Sequence, residues 1–290
     1  LLLVEKYRPQ QLQDIVGLNL NNFVIDENLQ HLLFYGPPGT GKTTLAKIII
    51  KTLNADTLIL NASDERGIET VRQKVKVFAS TQSTTGKIKI VFLDESDFLT
   101  TEAQTSLRNL FETYGSNTRF ILTCNYINKI IEPLQSRCTK IEFNNIKKDD
   151  IIKRLEYICK CENIQYDINA LKIIVDRNGT DIRSSINKIE ELKSGVFVDK
   201  LKSETHLADT IVMLLEMGDF NTARQKYLDA HPDNDQLLKD IYFSIYNGSR
   251  DDKFKRSAII EIAETYRYLN SVAWKEIQIE RLFLKLIEFN

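Results

Sequence analysis

The stretch Gly36-Pro37-Pro38-Gly39-Thr40-Gly41-Lys42-Thr43 decides how the first half of this chain folds. It fits the spacing G-x-x-x-x-G-K-S/T, and its surroundings are those the spacing requires. The apolar run His31–Tyr35 before it reads as a strand, and the segment after it carries Ala46, Ile49, Ile50 and Leu53 at helical intervals. Glycines there let backbone N–H groups turn inward around an anion, and the N-terminus of the following helix adds a favourable dipole. In that geometry Lys42 reaches the β- and γ-phosphates of a nucleotide and the Thr43 hydroxyl ligates Mg²⁺. A glycine-rich loop without nucleotide is the plainer reading of the glycines alone, and the Lys-Thr pair with its flanking strand and helix speaks against it.

The next informative stretch is Lys89-Ile90-Val91-Phe92-Leu93-Asp94-Glu95. An apolar strand delivers two adjacent carboxylates to its C-terminal end, where ligands of open α/β sheets gather. Asp94 is the expected Mg²⁺ partner, and Glu95 is suited to polarise a water for attack on the γ-phosphate. Taken alone the pair could merely end a strand; beside the first motif it completes a hydrolytic site. A guanine reader of the type Asn-Lys-x-Asp is wanting, because Asn187-Lys188-Ile189-Glu190 lies in a helical pattern and ends in Glu. A small-molecule kinase has no use for the helical segments that follow. ATP is therefore the expected nucleotide.

Further out, short apolar runs alternate with amphipathic segments, the mark of a mostly parallel sheet covered by helices. The expected strands are 32–35, 57–61, 87–93, 119–124 and 140–143. Leu107, Leu110, Phe111 and Tyr114 form a helical stripe, with Thr101 and Gln104 as a capping box and Gly115 as its end. Beyond 145 the strand signals fade. Residues 147–193 read as helices, 195–205 as a connector, and 206–290 as helices broken at Pro232 and Asn247-Gly248. The expected units are 1–145 (α/β), 146–203 (helical) and 204–290 (helical).

The 290 residues carry a formal charge of −1, with 42% apolar and 27% charged residues. That balance excludes a broadly basic nucleic-acid coat but leaves room for local patches. No apolar run reaches the ~18–20 residues of a membrane span, and Leu1-Leu2-Leu3-Val4 stops at Glu5, too short for a signal peptide. The four cysteines include Cys159-Lys-Cys161, which lacks zinc spacing, so free thiols in a reducing cytosol or nucleus are expected. A cytoplasmic or nuclear protein that is not secreted is expected.

At Lys6-Tyr7-Arg8-Pro9, Gly36–Thr44, Asp94-Glu95-Ser96-Asp97 and Ser136-Arg137-Cys138 the chain resembles the clamp-loader ATPases of the AAA+ superfamily, a group that includes the replication factor C small subunits and their phage equivalents. The resemblance runs in order from Glu5 to about Leu192, and Ser136-Arg137-Cys138 after Pro133-Leu134-Gln135 is its most specific part. It implies a nucleotide-binding domain, a helical lid and a helical collar for oligomerisation. Gly36, Pro37, Pro38, Gly39, Thr40, Gly41, Lys42, Thr43 and Thr44 then hold the phosphates. Tyr7, Arg8 and Pro9, with Ile15, Val16 and Gly17, surround the base. Asn125 corresponds to the sensor that positions the attacking water. Arg137 matches an arginine finger entering a neighbouring subunit's site, and Arg183 matches a second sensor on the lid. Independently of the resemblance, Asp181 or Thr180 should cap the helix that carries Arg183. A cation in that first turn goes against the helix dipole, which hints at a phosphate partner.

The segment Ser63–Ile68 and the helix after it resemble a DNA-tracking element, implicating Arg66, Gly67, Ile68 and Arg72, with Arg108 facing a central channel. Such contacts carry shape and charge information without base reading, and a solvated charged face is the alternative. Phe98 and Leu99 are candidates for touching a sliding clamp, or for the core. The segment Leu18–Gln30 is shorter and richer in Asn than the family pattern. The implied partners are other loader subunits in a pentamer, a sliding clamp and primer-template DNA. A DNA-remodelling motor, or a structural subunit that only supplies an arginine in trans, are the alternatives.

Overall fold

The computed structural model describes residues 2–17, 29–64, 68–81, 86–144, 146–192, 197–269 and 271–289, with the backbone alone at 68–70, 192 and 197–206. Two compact units result, 1–190 and 191–290.

In the first unit, α1 (Leu3–Lys6) precedes β1 (Leu32–Tyr35), α2 (Lys42–Thr52), β2 (Asp56–Asn61), α3 (Ile68–Ser80), β3 (Lys89–Asp94), α4 (Thr101–Tyr114), β4 (Thr118–Cys124), α5 (Glu132–Gln135) and β5 (Thr139–Glu142). The five strands form one sheet in the order β2-β3-β4-β1-β5, and every pairing is parallel. Each expected strand is present to within two residues. Strand alternation divides the core between the two faces. Leu33, Val91, Leu93, Phe120 and Leu122 point toward α3 and α4, where Val71, Val75, Leu107 and Phe111 meet them. Leu32, Phe34, Ile90, Phe92 and Ile121 point the other way, toward Leu45, Ala46 and Ile49 of α2. Both faces are thus covered, which is why these strands read as unbroken apolar runs.

The order also sets the site. β4 lies between the strand that feeds the phosphate loop and the strand that ends in Asp94. The C-terminal ends of β1, β3 and β4 therefore open on one side.

The unit continues with α6 (Lys148–Cys161), α7 (Ile168–Asn178) and α8 (Ile182–Leu192). These bury Ile151, Leu155, Ile158, Leu171, Ile174, Val175, Ile186 and Ile189. Asn187–Glu190 lies within α8, as its helical pattern implied. In the second unit, α9 (Phe197–Glu216), α10 (Phe220–Ala230), α11 (Asn234–Asn247), α12 (Asp252–Leu269) and α13 (Lys275–Glu288) enclose a separate core that includes Ile211, Tyr227, Ile241, Ile262 and Phe283. The breaks fall at Pro232 and Gly248, as expected.

Two local expectations are corrected. The connector assigned to 195–205 is helical from Phe197, because no Gly or Pro between Phe197 and Glu216 interrupts propagation of α9. The α4 cap is Thr100, whose hydroxyl accepts the Ala103 N–H at 3.3 Å. Thr101 is already the first helical residue, and Gln104 turns inward to donate to Leu99 O and Lys129 O. Two consecutive threonines made the sequence ambiguous, and the box pattern favoured the wrong one.

Candidate functional site

The phosphate loop joins β1 to α2, and its conformation depends on glycine. Gly41, the N-cap of α2, has φ 101°, and Gly39 has φ 72°, both in the left-handed region that a side chain disfavours. Gly39 is also approached by the Asp181 carboxylate, which would lie 1.8 Å from a Cβ built there. Asp181 in turn caps α8, accepting the Ser184 N–H and hydroxyl at 2.9 Å each. The cap is Asp181 rather than Thr180, and it brings α8 against the loop.

Lys42 is 8% exposed and folds back on the loop, its Nζ donating to Gly36 O at 2.7 Å and Pro37 O at 2.6 Å. Burial pushes its pKa below the usual lysine value, while the carboxylates of Asp97 and Asp94 push back. The Thr43 hydroxyl donates to Asp94 Oδ1 at 2.9 Å, so the loop and the end of β3 are in contact. Glu95 follows in the left-handed region, φ 55° and ψ 42°. A non-glycine residue there is held at a cost of about 1–3 kcal/mol. Asp97 is buried and accepts the Asn125 N–H at 3.3 Å through Oδ2.

These residues share a cleft of about 480 Å³ walled by Pro38, Gly39, Gly41, Lys42, Thr43, Thr44, Asp94, Glu95, Asn125 and Arg183. Thr123 and Cys124, which the sequence did not single out, also line it. Burial drives the Cys124 thiol up to about 12, leaving it neutral. The oxygen-rich set at Thr43 and Asp94 fits a hard divalent cation that keeps several waters.

A second cleft, about 600 Å³, shares Gly39, Gly41, Thr44 and Arg183 with the first. Tyr7, Arg8, Pro9, Ile15 and Val16 line it with Thr40, Gly41, Thr44 and Arg183. Val4, Arg154, Ile182 and Ile186 join them unannounced by the sequence. Gly17 stands back from this wall and packs on Ile146, whose Cγ2 would lie 2.8 Å from a Cβ. The N-terminal segment is tied to α6 over a long sequence distance. The Tyr7 hydroxyl donates to Glu162 Oε1 at 2.7 Å, Lys6 pairs with the same oxygen at 2.5 Å, and Arg154 donates to Tyr7 O at 2.9 Å. The Glu162 bond is the main reason the Tyr7 phenol is held above its ordinary pKa.

The remaining candidates lie elsewhere. Arg137 is exposed, lines neither cleft, donates to Pro133 O at 2.7 Å and pairs with Glu112. Arg108 Nε is 3.9 Å from the same Glu112 oxygen. Both arginines thus converge on one carboxylate that sequence reading passed over. Arg72 is exposed on α3, Ile68 begins that helix, and Arg66 and Gly67 fall outside the described residues, as do residues 18–28. Phe98 and Leu99 part company: Phe98 is 42% exposed and Leu99 is 6% exposed.

Known proteins agree with this architecture. Residues 32–145 match the model of the ATPase family associated with various cellular activities (AAA). The chain is 39% identical to the replication factor C small subunit of Sulfurisphaera tokodaii, over 99% of this chain and 95% of that protein. Identity to the replication factor C small subunit of Saccharolobus solfataricus is 50%, over 66% of this chain and 61% of the relative. Among solved structures, a point variant of Thermotoga maritima RuvB superposes with a TM-score of 0.56 at 16% identity, covering 97% of this chain and 90% of that one. That last likeness bears on the fold alone. A relative at 39% identity spanning both chains almost end to end decides the family: the chain belongs to the replication factor C small subunits, which are AAA ATPases.

Proposed function

We propose that this ATPase is a subunit of a sliding-clamp loader, and that it uses ATP binding and hydrolysis to open a ring clamp and leave it on primed template DNA. Residues 1–145 act as the nucleotide-binding domain, the helices from 146 to about 190 as its lid and the second unit, which begins before α9 rather than at 204, as a collar that joins subunits. In support of the collar, Met217, Ile260, Trp274, Ile277 and Leu284 are exposed apolar side chains of the second unit.

In this reading Tyr7, Arg8, Pro9, Ile15 and Val16 hold the base, and the loop from Gly36 to Thr44 holds the phosphates. Mg²⁺ would be held by Thr43 and Asp94, and when bound it neutralises phosphate charge. Lys42 shifts from its loop carbonyls to the phosphates. Glu95 takes a proton from the attacking water, Asn125 orients that water, and Arg183 reports the γ-phosphate to the lid. Arg137 serves the ATP of a neighbouring subunit. Arg66, Gly67, Ile68, Arg72 and Arg108 follow the DNA backbone, and Phe98 is the exposed candidate for clamp contact.

One observation carries the proposal: every hydrolytic candidate lines one cleft except Arg137, which is exposed and lines neither cleft. A transition-state cation absent from its own site points to hydrolysis that depends on assembly. The test is ATPase rate for the isolated chain and for the loader complex, with and without clamp and primed DNA. The isolated chain should be slow, and clamp with primed DNA should stimulate the complex. Fast hydrolysis by the chain alone, indifferent to clamp, would sink the proposal.

A further inference from the structure

The Thr123 hydroxyl stands between two groups used in the proposed reaction. It donates its one proton to Asp94 Oδ1 at 2.6 Å and accepts the Glu95 N–H at 3.0 Å. Thr123 is 2% exposed, so solvent offers poor replacement partners. The bond to Glu95 falls where the backbone turns into the left-handed region, a conformation that must be held by its surroundings. The bond to Asp94 falls on the oxygen that also accepts the Thr43 hydroxyl. Thr123 belongs to β4, two residues before Asn125, whose own N–H is fastened to Asp97. A single hydroxyl therefore ties the end of β3, side chain and backbone together, to the strand that leads into the water-orienting Asn125.

We infer that Thr123 is a positioning residue for hydrolysis: it fixes Asp94 and Glu95 relative to Asn125, so that base and water-orienting group keep one geometry. The inference rests on the reading of Glu95 as the base. Valine matches threonine in shape but offers neither the donor nor the acceptor, and would leave the Glu95 N–H without its partner. Serine keeps both.

The experiment uses the loader complex containing wild type, Thr123→Val, Thr123→Ser, Glu95→Gln, or the Val and Gln changes together. It measures single-turnover hydrolysis at saturating ATP, affinity for a fluorescent ATP analogue, and melting temperature. Thr123→Val should slow turnover by about ten- to a hundred-fold, as loss of an orienting partner does, with affinity changed by less than about threefold. Thr123→Ser should restore most of the rate, and Thr123→Val should add nothing to Glu95→Gln. Thr123→Cys, close in volume with weaker bonds, should reproduce the same split if the valine variant folds poorly. Wild-type turnover in Thr123→Val beside an inactive Glu95→Gln overturns this inference and leaves the base reading standing. So does a serine variant as slow as valine, or affinity falling in step with rate. Wild-type turnover in Glu95→Gln overturns the base reading, and this inference with it.

Discussion

The two ends of the parallel sheet both carry buried polar groups, yet they use them differently. At the N-terminal end Lys89, 4% exposed, donates to Phe78 O, Thr81 O and Thr81 Oγ1, with its Nζ 4.4 Å from the Phe78 ring centre. Arg119 donates to Leu29 O and Gly115 O, and His31 Nδ1 accepts the Phe120 N–H at 3.2 Å. These side chains bond mainly to backbone groups and line neither of the two clefts. At the C-terminal end Lys42, Thr43, Asp94 and Glu95 line an open cleft. The lesson is that burial of a charge says little about function until its partners are known: bonded to fixed backbone it is structural, and beside a cleft it is free to change partners.

The strongest way to test that contrast is to remove the cation at each end. Lys42→Met should lower kcat/KM for ATP on the order of a thousandfold, about 4 kcal/mol, while the chain still melts cooperatively. Lys89→Met should do the opposite. Leaving the α3 C-terminal carbonyls without a charged donor should cost about 2–3 kcal/mol of stability in urea titration and leave ATP affinity unchanged. If Lys89→Met weakened ATP binding in proportion, the division between the two ends would fail.

His31 gives a pH test of the structural end. Burial, and secondarily the charge of Arg119, push its pKa down from 6.5 to about 4. The unfolded chain therefore binds a proton that the folded chain refuses, so stability falls as pH drops through 6.5 and stops falling near 4. The contribution is about 2 kcal/mol between about pH 7.5 and pH 5. His31→Phe should flatten that part of the stability-against-pH curve.

The smallest effect probes a structural contact a few residues past Asp94. Thr100→Ala should cost about 1 kcal/mol by loss of the α4 cap, and Thr101→Ala much less. ATP turnover should be the same in both, measured at a temperature where both are folded.

How much of this was legible depended on range. The phosphate loop, the Asp94-Glu95 strand end and the five strands are local patterns, and their physics is contained in a few consecutive residues. Thr123 was not legible: a threonine inside Arg119–Cys124 reads as an ordinary β-former, and its role comes only from β4 lying beside β3. Lys89 fell inside the expected strand 87–93 with nothing local to mark it, because its partners, Phe78 and Thr81, lie at and just past the end of α3. Glu112 carried no signal in the sequence, although two candidate arginines meet it. Asp181 was legible as a cap because a cap is a local device; its approach to Gly39 was not.

The tether between the N-terminal segment and α6 has a consequence for synthesis. Tyr7 and Glu162 are 155 residues apart in sequence. Domains fold as units during synthesis, N-terminal ones first, so this unit closes only when its distant partners have been made. The wall formed by Tyr7, Arg8 and Pro9 must wait for Arg154 and Glu162. Ile182, Arg183 and Ile186 line the same cleft, so a nascent chain stopped before α8 has been made would lack part of that wall as well.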